Sequence, residues 1–188
     1  MDSRKVVFLD RDGVINRAAP PHQYIADWDE FHILPGVYEA IRKCNQSGYY
    51  VVVISNQRGI ARGLCSRRQV DELNEKMVKE LKSKDAEIHK VYICPHDNGE
   101  CSCRKPNPGM FYMAEEELWK ERKEKVDKIH SWMIGDSASD VEAGRAYGVK
   151  TIWIQSSDKI SSVNADYTAK SLYEAVRFVC AKNSTEMR

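Results

Sequence analysis

Short apolar runs alternate along this chain with segments in which apolar residues recur every three or four positions. The runs are Lys5–Leu9, Tyr49–Ile54, Val91–Ile93, Ser131–Ile134 and Val149–Ile154, with a weaker sixth near Ala165–Thr168. Tyr49–Ile54 carries an apolar residue at every position, which is typical of a strand buried on both faces of a parallel sheet. The runs therefore predict the strands of a mostly parallel sheet.

The segments between these runs predict helices. Apolar residues at helical spacing lie between Pro35 and Gly48, where a first helix is expected. Ser66 and Gln69 form a capping-box pair that predicts the start of a second helix. Three further helices are expected from about Pro108 through Glu115–Lys125, over Ala138–Tyr147, and over Ser171–Ala181. Strands that alternate with helices predict an α/β fold with a Rossmann-like, doubly wound sheet, and 188 residues suit a single domain over residues 1–188.

Composition excludes several classes of protein. The 29 Lys and Arg residues nearly balance the 28 Asp and Glu residues, so nothing indicates a basic nucleic-acid binder. No apolar stretch approaches the ~20 residues that span a bilayer, and the first residues do not resemble a signal peptide. Six cysteines without an export signal indicate reduced thiols. We therefore expect a cytoplasmic protein without membrane or nucleic-acid partners, and a monomer, since no large apolar face stands out.

Four polar clusters lie at 10–13, 55–57, 104–106 and 135–140, three of them directly after a predicted strand. Taken alone, such a cluster is more often an acidic turn, a helix cap or a solvated pair of charges. In doubly wound sheets, however, ligands bind beyond the carboxyl ends of the strands. Asp10 and Asp136 would meet there and repel each other unless a hard cation such as Mg²⁺ lay between them. Together with a lysine and a hydroxyl, these acids predict phosphoryl transfer.

The motifs D-R-D-G, S-N, K and G-D-x-x-x-D occur here in the order that resembles the haloacid dehalogenase-like phosphatase superfamily, over about residues 5–154. The resemblance implies that Asp10 is the nucleophile that forms an aspartyl-phosphate. It also implies that Asp12 is the general acid and base, that Ser55 binds the phosphoryl group and that Lys105 neutralises its charge. Mg²⁺ would be held by Asp10, Asp136 and the backbone carbonyl of Asp12.

A cluster of soft ligands precedes the lysine. Cys94, His96, Cys101 and Cys103 form C-x-H-x4-C-x-C, and Cys₃His is a tetrahedral zinc set with no open position. Disulfides are the alternative, which a reducing compartment disfavours. We therefore predict a structural zinc site in a loop over 94–103 that fixes the backbone leading to Lys105. The other cysteines are Cys44 and Cys180, expected in helices, and Cys65, in a loop without an assigned role.

The C-P-H…C-x-C-R-K-P loop resembles one subgroup of the superfamily, which holds heptose 1,7-bisphosphate phosphatases and histidinol-phosphate phosphatases. G-I-A-R-G at 59–63 and K-P-N-P-G-M at 105–110 favour the heptose enzymes, which supply nucleotide-activated heptose for lipopolysaccharide or S-layer synthesis. Little of this sequence is left for a separate cap domain, so we expect a capless core with an open active site. The resemblance implies substrate contacts from Arg11, His22, Gln23, Tyr24, Ser55, Asn56, Gln57, Arg58, Arg104 and Lys105. Arg104 suits the sugar or its second phosphate, because a guanidinium binds such groups through two parallel hydrogen bonds.

Three other kinds of protein share parts of this pattern. A DNA 3′-phosphatase shares the acid motif but has no reason for the zinc loop. A receiver-type signalling domain also pairs acids, Mg²⁺ and a lysine, but its phosphorylated aspartate ends the third strand rather than the first. A zinc-dependent nucleic-acid module would carry basic and aromatic residues around the metal, whereas this loop carries Asp97 and Glu100. The sequence therefore predicts a Mg²⁺-dependent phosphatase of a small sugar phosphate, with histidinol phosphate as the alternative substrate.

Overall fold

A parallel sheet forms the centre of the structure, a computed structural model that describes residues 2–20, 23–155 and 163–186. The strands are β1 (Ser3–Arg4), β2 (Val6–Leu9), β3 (Tyr50–Asn56), β4 (Lys90–Cys94), β5 (Lys125–Val126), β6 (Trp132–Gly135), β7 (Lys150–Ile154) and β8 (Tyr167–Ala169). Six of them form one all-parallel sheet in the order β4-β3-β2-β6-β7-β8, and β1 pairs with β5 separately. The predicted α/β fold with a parallel sheet is confirmed.

The helices of the described residues follow the predicted spacing. They are α1 (Val37–Gln46), α2 (Arg67–Lys82), α3 (Gly109–Arg122), α4 (Ala138–Tyr147) and α5 (Leu172–Glu186). The third is shorter than predicted, because Lys123 adopts a left-handed φ of 58° and the chain then enters β5. A 3-10 turn at Trp28–Glu30, which was not predicted, lies in the first irregular segment. Within the described ranges, no helix is both long and apolar enough to cross a membrane.

Alternate residues of β2 pack into two different halves of the core, as in a strand covered on both faces. Val7 and Leu9 belong to the half that contains α1, α2 and α5. Val6 and Phe8 belong to the half that contains α3 and α4. A fully buried side chain of this kind contributes roughly 1.5–3 kcal/mol to stability. Packing on both faces therefore fixes the position of β2, and with it the position of Asp10, which follows it.

The strand order reverses at β2. The chain runs from β2 through β3 to β4 on one side, and from β6 through β7 to β8 on the other. At such a switch point the connections diverge and leave a crevice beyond the carboxyl ends of the strands. Asp10 follows β2 and Asp136 follows β6, so the topology places both acids at this crevice.

Candidate active site

Three carboxylates converge at the switch point. The backbone N–H of Asp10 donates to the Ile134 carbonyl of β6 at 3.0 Å, so the neighbouring strand fixes its position. Asp136 follows β6 directly, and Asp140 lies in the first turn of α4. One carboxylate oxygen from each acid lies within 4.8 Å of those from the other two. Oxygens at this spacing are a suitable donor set for a hard divalent cation.

Lys105 brings a buried positive charge to these carboxylates. Its Nζ lies 2.8 Å from Asp10 Oδ1 and 2.7 Å from Asp140 Oδ1, and it donates to the Ile54 carbonyl oxygen at 2.7 Å. Only 3% of the residue is exposed. Burial by itself lowers the pKa of Lys105, but the two carboxylates outweigh burial and raise it. Lys105 is therefore charged at neutral pH.

Burial has the opposite effect on the charge of Asp10. It raises the pKa of Asp10 to about 7, with Lys105 lowering the pKa and the charges of Asp140 and Asp12 adding to the rise. A cation next to the carboxylate would favour its ionised form. The ionised form is the one that can act as a nucleophile. A bound cation would therefore increase the share of Asp10 that is ionised.

The Asp12 carboxylate is held by three side chains. Arg11 donates to it from Nε and Nη2 at 3.0–3.2 Å, Asn16 from Nδ2 at 2.9 Å, and Gln57 from Nε2 at 3.0 Å. The same nitrogen of Gln57 donates to Ser55 Oγ at 2.9 Å. Asp12 and Ser55 are thus joined through one buried amide.

Three of the side chains predicted to contact the substrate form hydrogen bonds with neighbouring protein groups. Arg11 is fully buried and Gln57 is 2% exposed, and both direct their N–H groups to Asp12. Asn56 uses its amide on the backbone of Lys105, donating to the carbonyl at 3.0 Å and accepting from the N–H at 3.1 Å. These side chains face neighbouring protein groups because each one pairs a buried polar group that would otherwise be costly. All three side chains therefore hold other groups of the site in place.

Gly13 lets the loop after β2 approach Asp136. Its φ is +90°, and a Cβ atom at this position would lie 2.4 Å from Asp136 Oδ2. A side chain would therefore be strained by the backbone and would collide with the carboxylate. The glycine of D-R-D-G is required by this close approach.

The predicted contacts at His22, Gln23 and Tyr24 fall in the first irregular segment. His22 lies outside the described residues. Gln23 is exposed and Tyr24 is half-buried, and both line a cavity of about 270 Å³. Tyr24 packs closely on Gly59, in the loop after β3. This segment is therefore placed against the neighbouring loop of the crevice.

The four soft ligands close into one cluster at the end of β4. Cys103 Sγ lies 3.2 Å from the Sγ atoms of Cys94 and Cys101, and 3.4 Å from His96 Nδ1. All four donor atoms lie within 4.8 Å of one another. Tetrahedral zinc, with Zn–S bonds of about 2.3 Å, places neighbouring ligands roughly 3.5–4 Å apart. The donor set therefore fits zinc in both chemistry and size.

We use "metal loop" for residues 94–103, whose side chains also pair with three arginines. Asp97 forms ion pairs with Arg58 and, at 3.5 Å, with Arg62, both in the loop after β3. The N–H of Asn98 and the Arg58 guanidinium hold the pKa of Asp97 below its usual range. Arg104 donates from Nε to Asn98 Oδ1 at 2.9 Å. Arg58 and Arg104, two of the three arginines predicted to bind substrate, thus pair with side chains of the metal loop.

Two cavities flank the carboxylates. One of about 310 Å³ is lined by Asn56, Arg104 and Lys105 among others. The other, of about 630 Å³, is lined by residues that include Gly13 and Asp136. The crevice therefore has room for a ligand larger than a phosphate ion, and the first cavity offers such a ligand two cations.

The sequence prediction left three residues at the site without a role. Asp140 forms the second ion pair of Lys105. It could have been found from the sequence, because it is the second aspartate of G-D-x-x-x-D. Asn74 is a buried polar residue on the apolar face of α2, and its Oδ1 accepts from Arg11 at 3.0 Å. A polar residue at such a position is a detectable signal, because burial requires a partner. The role of Asp97 could not have been found from the sequence, since its partners Arg58 and Arg62 lie in another loop.

Comparison with known proteins identifies the family of this chain. The family described as Polynucleotide kinase 3 phosphatase matches residues 5–173. The D-glycero-beta-D-manno-heptose-1,7-bisphosphate 7-phosphatase of Vibrio cholerae is 35% identical over 94% of this chain and 95% of its own. That of Rhodopseudomonas palustris is 41% identical over 78% and 81%. The D,D-heptose 1,7-bisphosphate phosphatase of B. bronchiseptica, solved with magnesium and phosphate, gives a TM-score of 0.80 at 26% identity over 95% of this chain and 99% of that one. The chain belongs to this family of haloacid dehalogenase-like phosphatases.

Proposed function

We propose that this phosphatase removes the 7-phosphate of D-glycero-D-manno-heptose 1,7-bisphosphate, a step in the supply of nucleotide-activated heptose. The observation that carries the reaction is the contact of Lys105 with Asp10 and Asp140 next to Asp136, which sets a nucleophile beside a buried cation. The sugar substrate is supported by the relatives, which are named for it. It is also supported by the G-I-A-R-G and K-P-N-P-G-M segments of the sequence.

The proposed reaction has two steps. In the first, a carboxylate oxygen of Asp10 attacks phosphorus, the bond from phosphorus to the sugar oxygen breaks, and Asp12 gives its proton to that oxygen. In the second, Asp12 takes a proton from water, whose oxygen attacks the aspartyl-phosphate and releases inorganic phosphate. Ser55 and Lys105 bind the oxygens of the phosphoryl group throughout. Asp10 and Asp12 are then restored to their starting forms.

The carboxylates at the switch point also suit Mg²⁺. Asp10 and Asp136 would hold the ion together with the backbone carbonyl of Asp12, an all-oxygen set that leaves room for water and phosphate. When bound, the ion neutralises charge on the phosphoryl group and reduces its repulsion from Asp10. Asp140 already pairs with Lys105 and with Ser137 of the same turn, so its main task is to hold the lysine.

Zinc in the metal loop would have a structural role. Its four protein ligands leave no position for a reacting water. The last ligand, Cys103, is followed directly by Arg104 and Lys105. Gly109, at the start of α3, approaches the Ser102 carbonyl so closely that a Cβ would lie 2.4 Å from it. Zinc would therefore fix the chain on one side of Lys105 while α3 fixes it on the other.

Replacing Cys103 with alanine is expected to remove the zinc and to lower the melting temperature by about 5–10 °C, since a loss of about 2–3 kcal/mol has that effect in a chain of this size. Elemental analysis and a thermal melt measure the two quantities. Cys65→Ala is the control, because Cys65 is also buried but lies outside the ligand set. Freshly purified parent protein that contains no zinc would contradict the assignment.

The substrate proposal is tested by phosphate release from both anomers of heptose 1,7-bisphosphate and from histidinol phosphate, with Mg²⁺ present. We expect kcat/KM to be at least about 10²-fold higher for one heptose anomer, because histidinol phosphate lacks a second phosphate for Arg104. Arg104→Gln should lower the ratio of the two kcat/KM values, mainly by raising KM for the bisphosphate. Comparable kcat/KM on histidinol phosphate would overturn the heptose assignment.

A further inference from the structure

Arg11 is a fully buried cation behind the crevice. It stands between Asp10 and Asp12 in the sequence and heads the largest fully buried side chains of the described residues. A guanidinium stays charged at any physiological pH, and its burial is costly unless its N–H groups are paired. The groups that accept hydrogen bonds from Arg11 therefore indicate the structural role of its charge.

The Arg11 guanidinium joins three separate parts of the chain. Nε and Nη2 donate to Asp12, Nη1 donates to Asn74 Oδ1 on α2 at 3.0 Å, and Nη2 also donates to the Ile25 carbonyl at 3.3 Å. The ring of Phe31 lies 5.8 Å from the guanidinium carbon. A helix and a loop thus hold the guanidinium from behind, and its donors toward Asp12 have a fixed direction.

This contact limits how the Asp12 carboxylate turns. The Asp12 side chain is 29% exposed and that of Arg11 is 1% exposed, so the carboxylate faces the crevice and the arginine lies behind it. A carboxylate that accepts hydrogen bonds from two nitrogens of one guanidinium is fixed in orientation as well as in position. Proton transfer requires the donor and acceptor atoms to come within about 2.6–3.2 Å. A misplacement of about 1 Å can cost about 10²-fold in rate.

We infer that Arg11, held in place by Asn74, is a positioning residue that aims Asp12 at the leaving oxygen of the substrate. The inference rests on the proposed role of Asp12 as general acid. Arg11 itself does not touch the substrate, because its side chain is buried. Its effect is on the breaking of the bond between phosphorus and the leaving oxygen, which gains a proton from Asp12 in the same step.

This role has a kinetic signature that loss of stability lacks. A poor leaving group such as phenolate needs the proton of Asp12, whereas a good one such as p-nitrophenolate departs with little help. The quantity kcat/KM reports on phosphoenzyme formation, the step in which the leaving group departs. We therefore expect Arg11→Lys and Asn74→Leu to lower kcat/KM for phenyl phosphate at least about tenfold more than for p-nitrophenyl phosphate.

The experiment compares these two aryl phosphates, which present the same ring to the crevice. Both are measured on one preparation with Mg²⁺ present, so the ratio of their kcat/KM values does not depend on how much of a variant is folded. Asn74→Asp keeps an acceptor oxygen for Arg11 and should restore the parent ratio. Asn45→Leu is the matched control, since Asn45 of α1 pairs with the backbone of Glu87, in the connection between α2 and β4. Its ratio should equal that of the parent.

Equal losses on the two aryl phosphates in both Arg11→Lys and Asn74→Leu would overturn the inference. Asp12→Asn, measured in parallel, separates this result from a failure of the proposed mechanism. If Asp12→Asn discriminates between the leaving groups and the other two variants do not, the acid role stands and the positioning role falls. If Asp12→Asn lowers kcat/KM equally for both esters, the role of Asp12 as general acid and the positioning role of Arg11 are both contradicted.

Discussion

Replacing Asp10 with asparagine is expected to reduce phosphate release by about 10⁴-fold or more, because the amide cannot form the aspartyl-phosphate. The variant should remain folded. Asparagine has the same shape, and Lys105 keeps its ion pair with Asp140 at 2.7 Å and its bond to the Ile54 carbonyl. The measurements are steady-state phosphate release with Mg²⁺ and a thermal melt.

Asp71→Asn is the control for the Asp10 variant. Asp71 forms an exposed pair with Arg67 on α2, and such pairs contribute little to stability. Its activity should therefore equal that of the parent. A folded Asp10→Asn enzyme with near-normal turnover would show that another group attacks the phosphorus. Mass spectrometry of the parent after rapid quenching should find the added phosphoryl group on Asp10.

Replacing Lys105 with methionine is expected to lower both stability and activity. The change leaves Asp10 and Asp140 in a buried site without their shared cation, and breaking a buried ion pair in this way costs about 3–5 kcal/mol. Activity should fall at least about 10²-fold, because the charge of the phosphoryl group is no longer neutralised by Lys105. Denaturant unfolding and phosphate release measure the two losses.

The pH dependence of the Lys105→Met variant follows from Asp10. Burial raises the pKa of Asp10 to about 7, above its value in an unfolded chain, so the folded state holds this proton more tightly. The free energy of unfolding then falls as pH rises through that value. Without the lysine, which opposes this shift, the variant measured free of metal should be less stable at about pH 8 than at about pH 5.

A second substitution separates stability from chemistry at Lys105. Asp140→Asn in the Lys105→Met background removes one of the two orphaned charges and should recover part of the free energy of unfolding. It should not recover activity, because the cation is still missing. Recovery of activity in the double variant would show that Lys105 acts only by stabilising the fold.

The parts of the fold that follow local rules could be predicted from the sequence. Apolar runs mark β2 and β3 because a strand buried on both faces leaves a continuous apolar segment. The short strands β1 and β5 carry no such signal, since each has two residues. Their pairing depends on contacts across the chain, such as the hydrogen bonds of Arg4 to Glu124. Such long-range contacts cannot be deduced from a local pattern.

The active site was predictable to a similar degree. Asp10 and Asp136 follow strands, and the carboxyl ends of parallel strands meet at one edge, so their convergence follows from topology. The direction in which a side chain points at a strand end does not follow from topology. Arg11 turns away from the crevice because Asn74, on a helix far along the chain, offers it an acceptor. Asn56 turns to the backbone of Lys105 for the same kind of reason.

The ion pairs of Asp97 bear on how specificity in this enzyme is changed. They connect the metal loop, which follows β4, to Arg58 and Arg62 in the loop after β3. Exchange of the β3 loop alone for one without these arginines would leave Asp97 without its partners, and exchange of the metal loop alone for one without this aspartate would leave Arg58 and Arg62 without theirs. The two loops therefore have to be exchanged together when the substrate specificity of the enzyme is redesigned.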